Sequence, residues 1–523
     1  MLSKNSLSYP ILLAAFVVAG LLALFSRPAP HHAYIGMTNA DKVAISYLWQ
    51  AEISQQTCQE KLAVLDEALL ENCPTCVIQQ QQCLAHLNEQ QKAMLSAQPL
   101  AFPSIRLHDG AIAYQSATPP LALRACLHDQ TKLSDVRHRL NCIPSHGLRS
   151  NLQAHPFNFW QDIAEMALLL TAAGLISWFI GYLILRYESL HAQYSHDHTQ
   201  SGIQKFHAQA TPRIGGIALF AGLLASVAIE TVFQVVNPSH SMGMAYFIIA
   251  SSAVFLGGLI EDVTKNVGVA QRLLFSMVSA AIAIWLLGAM INRLDIPAID
   301  SVLLSAPMAI AFTVLGISGV CHAMNIIDGY NGLSAGYACI ALVAMISVAF
   351  QVNDHLVIAI GVALLGSLLG FLKWNWPHGK IFMGDGGAYL LGFSLAELAI
   401  LLLHRNPSVS PWLTASLMIY PIVETLYSMF RRKVIAKTQT GLPDAEHLHQ
   451  LIFKKIIRGH VDNHAQRLTH NNSRVAIYIW LPTSLIAMIA MLFWQSTAIL
   501  MPLTLIACVL YVLAYRKLLS LPD

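Results

Sequence analysis

The sequence predicts an all-α polytopic membrane bundle of about eleven core transmembrane helices, with an N-terminal signal anchor and a small, cysteine-rich, mainly helical extracytoplasmic domain. Two observations support this fold class. Of the 523 residues, 55% are hydrophobic and only 11% are charged, whereas a soluble domain carries about 25% charged residues. The apolar residues also form runs long enough to cross a bilayer. The net charge of +3 is small and does not indicate a nucleic-acid partner.

Residues 1–26 are predicted to be a membrane anchor. A short apolar run from Pro10 to Phe25 follows a single basic residue, Lys4. A run of this kind is either a cleaved signal peptide or an uncleaved anchor. The segment S-R-P-A-P-H-H-A that follows is a poor small-x-small cleavage site, and this favours the anchor.

Residues 27–160 form a polar insert without a long apolar run, and we predict that they are a separate domain. A capping-box pattern predicts a helix over about 38–70, and a Gln-rich segment predicts a second over 76–97. Asp109-Gly110 lies between two short β-prone segments and therefore predicts a hairpin. A last short helix is predicted over 132–140.

Six of the nine cysteines lie in this insert. They are Cys58, Cys73, Cys76, Cys83, Cys126 and Cys142. An even set confined to one polar domain indicates disulfides in an oxidising compartment, although six cysteines allow 15 pairings. Two alternatives are a redox motif at Cys73-Pro-Thr-Cys76 and a zinc site. The redox alternative is weaker because no βαβ pattern surrounds the motif.

Residues 161–523 are predicted to be a multi-span domain. The expected spans are 163–185, 213–234, 244–260, 271–291, 302–324, 333–350, 355–372, 386–403, 411–430, 475–493 and 496–515. The segment 431–474 carries nine Lys and Arg residues, so it should be cytoplasmic. Alternation from there leaves only Arg293 and Arg405 in the opposite loops and puts 27–160 outside.

The same alternation brings several polar motifs to the cytoplasmic face. Glu261-Asp262 ends one apolar run in G-G-L-I-E-D-V-T-K, and Asp385 lies in I-F-M-G-D-G-G. The remaining candidates are Asn325, Asp328 and Asn331 in N-I-I-D-G-Y-N-G-L, Arg431 and Arg432, and His447 and His449 in H-L-H. Taken singly, each motif has a simpler explanation as a helix end, a turn or a loop histidine. Their common side favours one shared site.

These residue types suit phosphoryl transfer. Carboxylates from several loops hold Mg²⁺ together with substrate phosphates. Glycines beside an acidic residue let a diphosphate approach backbone N–H groups, and arginine and histidine donate to phosphate oxygens. Positioning and charge neutralisation then supply most of the catalysis.

With T-P-R-I-G-G at 211–216, the five motifs resemble, in order, those of the polyprenyl-phosphate N-acetylhexosamine-1-phosphate transferases, glycosyltransferase family 4. The resemblance covers roughly 163–515. It implies transfer of a sugar-1-phosphate from a UDP-N-acetylhexosamine to undecaprenyl phosphate, releasing UMP, with Mg²⁺ or Mn²⁺. The H-L-H pattern is similar to the branch that begins O-antigen-like surface polysaccharides, since the muramoyl-pentapeptide branch has three consecutive histidines.

The resemblance also implies roles for individual residues. Asp262, Asp328 and Asp385 are the expected catalytic residues, and Asp385 and Asp262 the expected metal ligands. The expected substrate-binding residues are Asn325, Asn331, Arg432, His447 and His449. The family often has Asp where Glu261 and Asn331 stand, so Asn331 is not expected to be the principal metal ligand.

Two other classes of function remain as alternatives. A transporter or flippase for lipid-linked sugars would place charges near the membrane midplane in two related halves, but here they lie at span ends without an internal repeat. A sensor built on the cysteine-rich domain would leave the cytoplasmic motifs unexplained. The expected partners are the two substrates and the bilayer, with a homodimer left open.

Overall fold

The computed structural model describes the multi-span part of the chain almost continuously. From 159 onward the described residues are 159–197, 210–233, 238–352, 354–435, 437, 444, 446–457 and 465–521. Before 159 they are 31–38, 44–52, 62, 77–84, 103–108 and 111–116. Ser26–Asn158 form one compact unit, and Phe159–Asp523 lie in a second. The predicted anchor and the predicted helix at 132–140 lie outside the described residues.

The described part of the first unit consists of strands, apart from Leu62, which is helical. Strand β1 (His31–Thr38) lies between β2 (Ala44–Glu52) and β3 (Val77–Leu84) and is antiparallel to both. Strands β4 (Pro103–His108) and β5 (Ala111–Ser116) form a hairpin in which His108 pairs with Ala111. The hairpin predicted at Asp109-Gly110 is therefore confirmed.

The predicted helices over 38–70 and 76–97 are wrong at Ala44–Glu52 and Val77–Leu84, and the expected mainly helical character is corrected there. Strand β2 does carry a period-2 pattern, because Ile45, Tyr47 and Trp49 alternate along it. Strand β3 is rich in glutamine, and only its pairing with β1 makes it a strand. Tertiary pairing here overrides local helix propensity.

The second unit is a bundle of helices. In chain order they are α1 (Phe159–Arg186), α2 (Glu188–Ser195), α3 (Gly216–Phe233), α4 (Pro238–Thr264), α5 (Val269–Leu287), α6 (Pro297–Leu303), α7 (Ala306–Ile327), α8 (Leu333–Gln351), α9 (His355–Asn375), α10 (Gly384–Arg405), α11 (Pro411–Leu417), α12 (Ile419–Phe430), α13 (Leu448–Ile452), α14 (Ala465–Leu492) and α15 (Thr497–Leu519). Between α2 and α3, β6 (His196–Asp197) pairs with β7 (Thr211–Pro212). Short π-helical turns, Arg431–Ile435 and Phe453–Ile457, follow α12 and α13.

The chain is a multi-pass membrane protein, because a helix or helix pair lies at each of the eleven predicted spans. In the described part of the chain, nine helices are long and apolar enough to cross a membrane. The pair Pro411–Leu417 and Ile419–Ile435 is apolar enough as well, but it is bent by 69°, as in a broken span or a re-entrant loop. Among the described residues, helix α3 contributes a shorter apolar segment, Gly216–Thr231.

Helix α10 is the centre of the bundle, and its whole span is buried. It packs against α4, α7 and α3, whereas α1 and α15 lie at the periphery. Glycine makes this close packing possible. A Cβ on Gly258 of α4 would lie 2.6 Å from the Gly386 backbone of α10, so the two helices approach at backbone contact.

We expect Gly258→Ala to lower the free energy of unfolding by about 1–3 kcal/mol, because its Cβ would force α4 and α10 apart. Gly319→Ala in α7 is the control, since among the described residues no atom outside its own stretch of helix lies within 4 Å of the added Cβ. The thermal midpoint of both variants in detergent measures the effect. Equal midpoints for the two variants would contradict this packing argument.

Candidate active site

The N-terminus of α10 is built around the buried carboxylate of Asp262. The two oxygens of Asp262 each accept a backbone N–H at 2.8 Å, from Asp385 and Gly386. These N–H groups belong to the first turn of α10, which has no earlier carbonyl to receive them. Gly384 has φ +74°, and a Cβ there would lie 2.5 Å from Asp262 Oδ2. The sequence M-G-D-G-G therefore lets the end of α4 cap the start of α10.

The motif T-P-R-I-G-G holds the other side of this turn. The N–H of Phe382 donates to the carbonyl oxygen of Pro212 at 2.8 Å. The N–H groups of Gly215 and Gly216 donate back to the carbonyl oxygens of Phe382 and Met383, both at 2.9 Å. This backbone pairing places Arg213 beside the first turn of α10.

The carboxylate of Asp385 lies beside the two arginine side chains of the site. Its Oδ1 accepts from Arg213 Nη2 at 3.3 Å and from Asn325 Nδ2 at 3.1 Å, and its Oδ2 pairs with Arg272 Nη1. Arg213 Nη2 also lies 3.8 Å from Asp262 Oδ1. Two guanidinium groups thus lie beside two buried carboxyl groups and lower the cost of burying negative charge there.

Asp328 lies at the end of α7 on the same side. Its carboxylate accepts a hydrogen bond from Ser334 Oγ. Burial raises the pKa of Asp328 to about 7, and the charge of Asp385 adds to this rise although the bond from Ser334 opposes it. The carboxyl group of Asp328 therefore gains or loses its proton as the pH passes through neutrality.

Asn331 is turned into the protein. Its backbone N–H donates to Asn472 Oδ1 at 2.8 Å, and its Nδ2 donates to the carbonyl oxygen of Pro377 at 3.2 Å. The Oδ1 of Asn331 is buried without a hydrogen-bond partner among the described residues. These contacts fix the loop between α7 and α8.

The histidines of H-L-H contact the loop between α7 and α8. His447 and His449 stack with ring centroids 5.3 Å apart. Tyr330 meets His449 edge-on at 5.6 Å, and a Cβ on Gly329 would lie 3.7 Å from His449 Nε2. The loop that contains Asp328 is therefore the element that joins the histidines to the α10 site.

Two salt-bridge partners brace the segment before H-L-H. Asp444 pairs with Arg431, and it also accepts a hydrogen bond from Ser428 Oγ at 2.7 Å. Burial alone would raise the pKa of Asp444, but the bonds from Ser428 and Arg431 lower it to about 2. Arg432 lies in the adjoining π-helical turn and is buried.

The structure brings Asp262, Asn325 and Asp385 into direct contact and puts Asp328 close to them. Glu261 instead accepts the backbone N–H of Val267 at 2.6 Å, in the loop after α4. Sequence reasoning missed Arg272, which follows that loop, and gave no role to Arg213 within T-P-R-I-G-G. The metal-ligand role of Asp262 stays a prediction.

No group of three or more His, Cys, Asp or Glu side chains converges as a ligand set in the part of the chain that the structure describes. The carboxylates instead face arginines and backbone N–H groups. Mg²⁺ commonly takes only one or two protein carboxylates and leaves its other positions to substrate phosphates. The donor set is thus compatible with a metal that arrives with its substrate.

An apolar cavity of about 640 Å³ lies between α12, α13, α14 and α15. Tyr420, Leu448 and Ile452 line the cavity on the side of the histidines. Leu485 and Ile506 line it as well and are exposed on the outer surface of the bundle. The cavity therefore connects the vicinity of H-L-H with the lipid-facing surface.

The comparisons with known proteins agree with this arrangement. The sequence model of Glycosyl transferase family 4 matches residues 244–403, which run from α4 to α10. A probable undecaprenyl-phosphate N-acetylglucosaminyl 1-phosphate transferase of Bacillus subtilis is 27% identical over 281 residues, 54% of this chain and 73% of its own. A decaprenyl-phosphate N-acetylglucosaminephosphotransferase of Mycolicibacterium smegmatis is 26% identical over 352 residues, 61% and 80%.

A phospho-N-acetylmuramoyl-pentapeptide-transferase of Levilactobacillus brevis is 34% identical, but only over 205 residues, 37% of this chain and 62% of its own. The fold and the matched site define a multi-pass membrane enzyme that transfers a sugar phosphate. Over residues 244–403 the chain is similar to glycosyl transferase family 4.

Arg272→Ala should lower kcat/KM by about 10- to 100-fold, because a hydrogen bond to a charged group contributes about 1.5–3 kcal/mol. Arg272→Lys should recover part of this loss, since it restores charge without the planar guanidinium. Initial rates of the purified variants measure the effect. Arg516→Ala on α15, where the side chain is exposed, is the control. If the Arg272→Ala enzyme were as active as this control, Arg272 would have no role in the reaction.

Proposed function

We propose that this enzyme transfers an N-acetylhexosamine-1-phosphate from a UDP-sugar to undecaprenyl phosphate. The products are UMP and a diphosphate-linked lipid that begins an O-antigen-like surface polysaccharide. One observation supports the proposal most directly. The Asp385 carboxylate, at the N-terminus of α10, contacts the side chains of Arg213, Arg272 and Asn325. A helix N-terminus and two guanidinium groups at one point favour binding of a diphosphate.

The reaction needs little covalent chemistry from the protein. An oxygen of the lipid phosphate attacks the phosphorus that carries the sugar, and the bond from this phosphorus to the UMP oxygen breaks. A lipid phosphate is largely ionised near neutral pH, so a general base is not essential. Arg213 and Arg272 can exchange their contacts with Asp385 for contacts with phosphate oxygens as negative charge develops.

A divalent cation completes this proposal. Asp385, with Asp262 as the second predicted ligand, would hold Mg²⁺ or Mn²⁺ together with the substrate phosphates. When bound, the ion neutralises charge on the transferred phosphoryl group. Asp385 is the stronger candidate, because its partners are side chains that can turn to phosphate oxygens. Both oxygens of Asp262 instead accept backbone N–H groups of α10. Asp328 is proposed as the third catalytic carboxylate.

The remaining roles concern the substrates. We propose that the sugar nucleotide is bound by Asn325, Arg432, His447 and His449. Asn331 lies in the loop between α7 and α8, against which the sugar nucleotide would bind. The apolar cavity beside Leu448 and Ile452 is a suitable place for part of the polyprenyl chain, since its walls are apolar and it reaches the lipid-facing surface. The basic segment 431–474 supports a cytoplasmic active site in a bacterial inner membrane.

The insert at 27–160 is proposed to be periplasmic, anchored by 1–26, and oxidised. In the structure Cys83 of β3 is disulfide-bonded. The state of the other five cysteines stays a prediction. The described cysteines of the bundle, Cys321, Cys339 and Cys508, are free.

The purified protein, incubated with undecaprenyl phosphate, Mg²⁺ and a panel of UDP-sugars, should release UMP and form a lipid-linked product with at least one UDP-N-acetylhexosamine. Both substrates should be required. UMP release without the lipid would contradict the assigned acceptor. Movement of a preformed lipid-linked sugar across vesicles without UMP release would favour the flippase alternative.

Asn331→Ala should lower kcat/KM by about 10- to 100-fold, less than Asp385→Ala, because it loses hydrogen bonds rather than a metal ligand. Its Mg²⁺ requirement should change little. Turnover against Mg²⁺ concentration for the two variants measures both quantities. An Asn331→Ala enzyme rescued only by far higher Mg²⁺ would place Asn331 among the metal ligands.

A further inference from the structure

Glu424 on α12 is a buried carboxylate, 1% exposed, that sequence reasoning did not single out. Its Oε1 lies 3.0 Å from His447 Nδ1, and its Oε2 lies 3.9 Å from His449 Nδ1. The backbone N–H of Leu448, the residue between the two histidines, donates to Oε2 at 3.2 Å. One carboxylate therefore faces the Nδ1 atoms of both rings.

The hydrogen on each ring follows from these partners. The Glu424 carboxylate already accepts the N–H of Leu448, and as an acceptor it pairs with a hydrogen on His447 Nδ1. His449 Nδ1 lies 3.1 Å from Tyr420 Oη, which can donate or accept. The negative charge of Glu424 near Nδ1 favours the hydrogen on His449 Nδ1, donated to Tyr420 Oη.

The other nitrogens of the two rings differ in their surroundings. His447 Nε2 lies 3.9 Å from Asp444 Oδ2, so this ring is held between two carboxylates. His449 Nε2 instead faces Gly329, in the loop between α7 and α8 that joins the histidines to the α10 site. Burial lowers the pKa of His449, and a neutral ring with Nδ1–H has a free lone pair on Nε2.

We propose that Glu424 is a positioning residue that fixes His449 as the Nδ1–H tautomer, so that Nε2 accepts a hydrogen bond from a hydroxyl or amide N–H of the sugar nucleotide beside Gly329. The identity of this ligand rests on the proposed function, whereas the tautomer does not. His447 supports the arrangement and keeps Glu424 oriented.

The first experiment reads the tautomer without substrate. The full-length protein, labelled with ¹⁵N-histidine and reconstituted in lipid nanodiscs, gives imidazole nitrogen shifts that distinguish Nδ1–H from Nε2–H. The His449 signals are assigned by their loss in His449→Gln. The wild type should show His449 with a protonated Nδ1 and an unprotonated Nε2. A protonated Nε2 in the neutral wild-type ring would overturn the proposal, whatever any variant does.

The second experiment separates binding from turnover. Glu424→Gln should shift His449 toward the Nε2–H tautomer and raise the KM for the UDP-sugar about 3- to 10-fold, as expected for loss of one net hydrogen bond. Its kcat and its KM for undecaprenyl phosphate should change less than about 2-fold. A purely structural role would instead lower kcat and the amount of folded enzyme together, and this outcome would overturn the proposal.

A double-mutant cycle tests the link between the two residues. Gln at 449 keeps an acceptor oxygen close to the Nε2 position and has no tautomer to set. Adding Glu424→Gln to His449→Gln should therefore raise the KM no further. Full additivity of the two effects would contradict the proposed link.

Glu397→Gln is the matched control. Glu397 lies in α10, is fully buried, and its carboxylate oxygens have no hydrogen-bond partner among the described residues. The Glu397→Gln substitution thus removes a buried carboxylate from the bundle without contact with H-L-H. The KM for the UDP-sugar should not change. If the wild type transfers nothing from any UDP-sugar, the proposed function fails while the tautomer measurement still decides the role of Glu424.

Discussion

The capping of α10 by Asp262 is the interaction on which the rest of the site depends. A carboxylate buried in a membrane bundle is costly unless it is paired or hydrogen-bonded. Here two backbone N–H groups and the positive end of a 22-residue helix stabilise it. The same contacts orient Asp385, because it is the residue whose N–H is bound. The contacts that cap α10 therefore also fix the position of Asp385.

Charge balance extends this arrangement outward. Asp385 needs Arg213 and Arg272, which come from a backbone-paired loop and from the first turn of α5. A second, independent balance surrounds Glu424, which faces His447 and His449. The loop between α7 and α8 touches both groups, since it carries Asp328 and packs Gly329 and Tyr330 against His449. Asn331 holds that loop in place.

Much of the bundle and part of the site could be predicted from the sequence. Long apolar runs predicted every helix of the bundle that spans or nearly spans the membrane, and the acidic and glycine-rich motifs predicted that Asp262 and Asp385 belong together. The strands at Ala44–Glu52 and Val77–Leu84 were missed, because pairing with β1 outweighs the local preference of a glutamine-rich segment. Arg272 was missed because a charge at the start of an apolar run looks like an ordinary helix end. Glu424 was missed because it lies inside a predicted span, and no linear pattern pairs it with H-L-H.

The sequence by itself determined where the chain enters the membrane and which segments carry polar motifs, because hydropathy and loop charge are local properties. Only the tertiary structure decided the partners. Asp262 is 123 residues from Asp385, and Arg213 is 172 residues from it. Such contacts form because α3, α4 and α7 pack against α10 at backbone distance around glycine. The physical reason is that a hydrogen bond is set by separation in space, which a linear pattern does not contain.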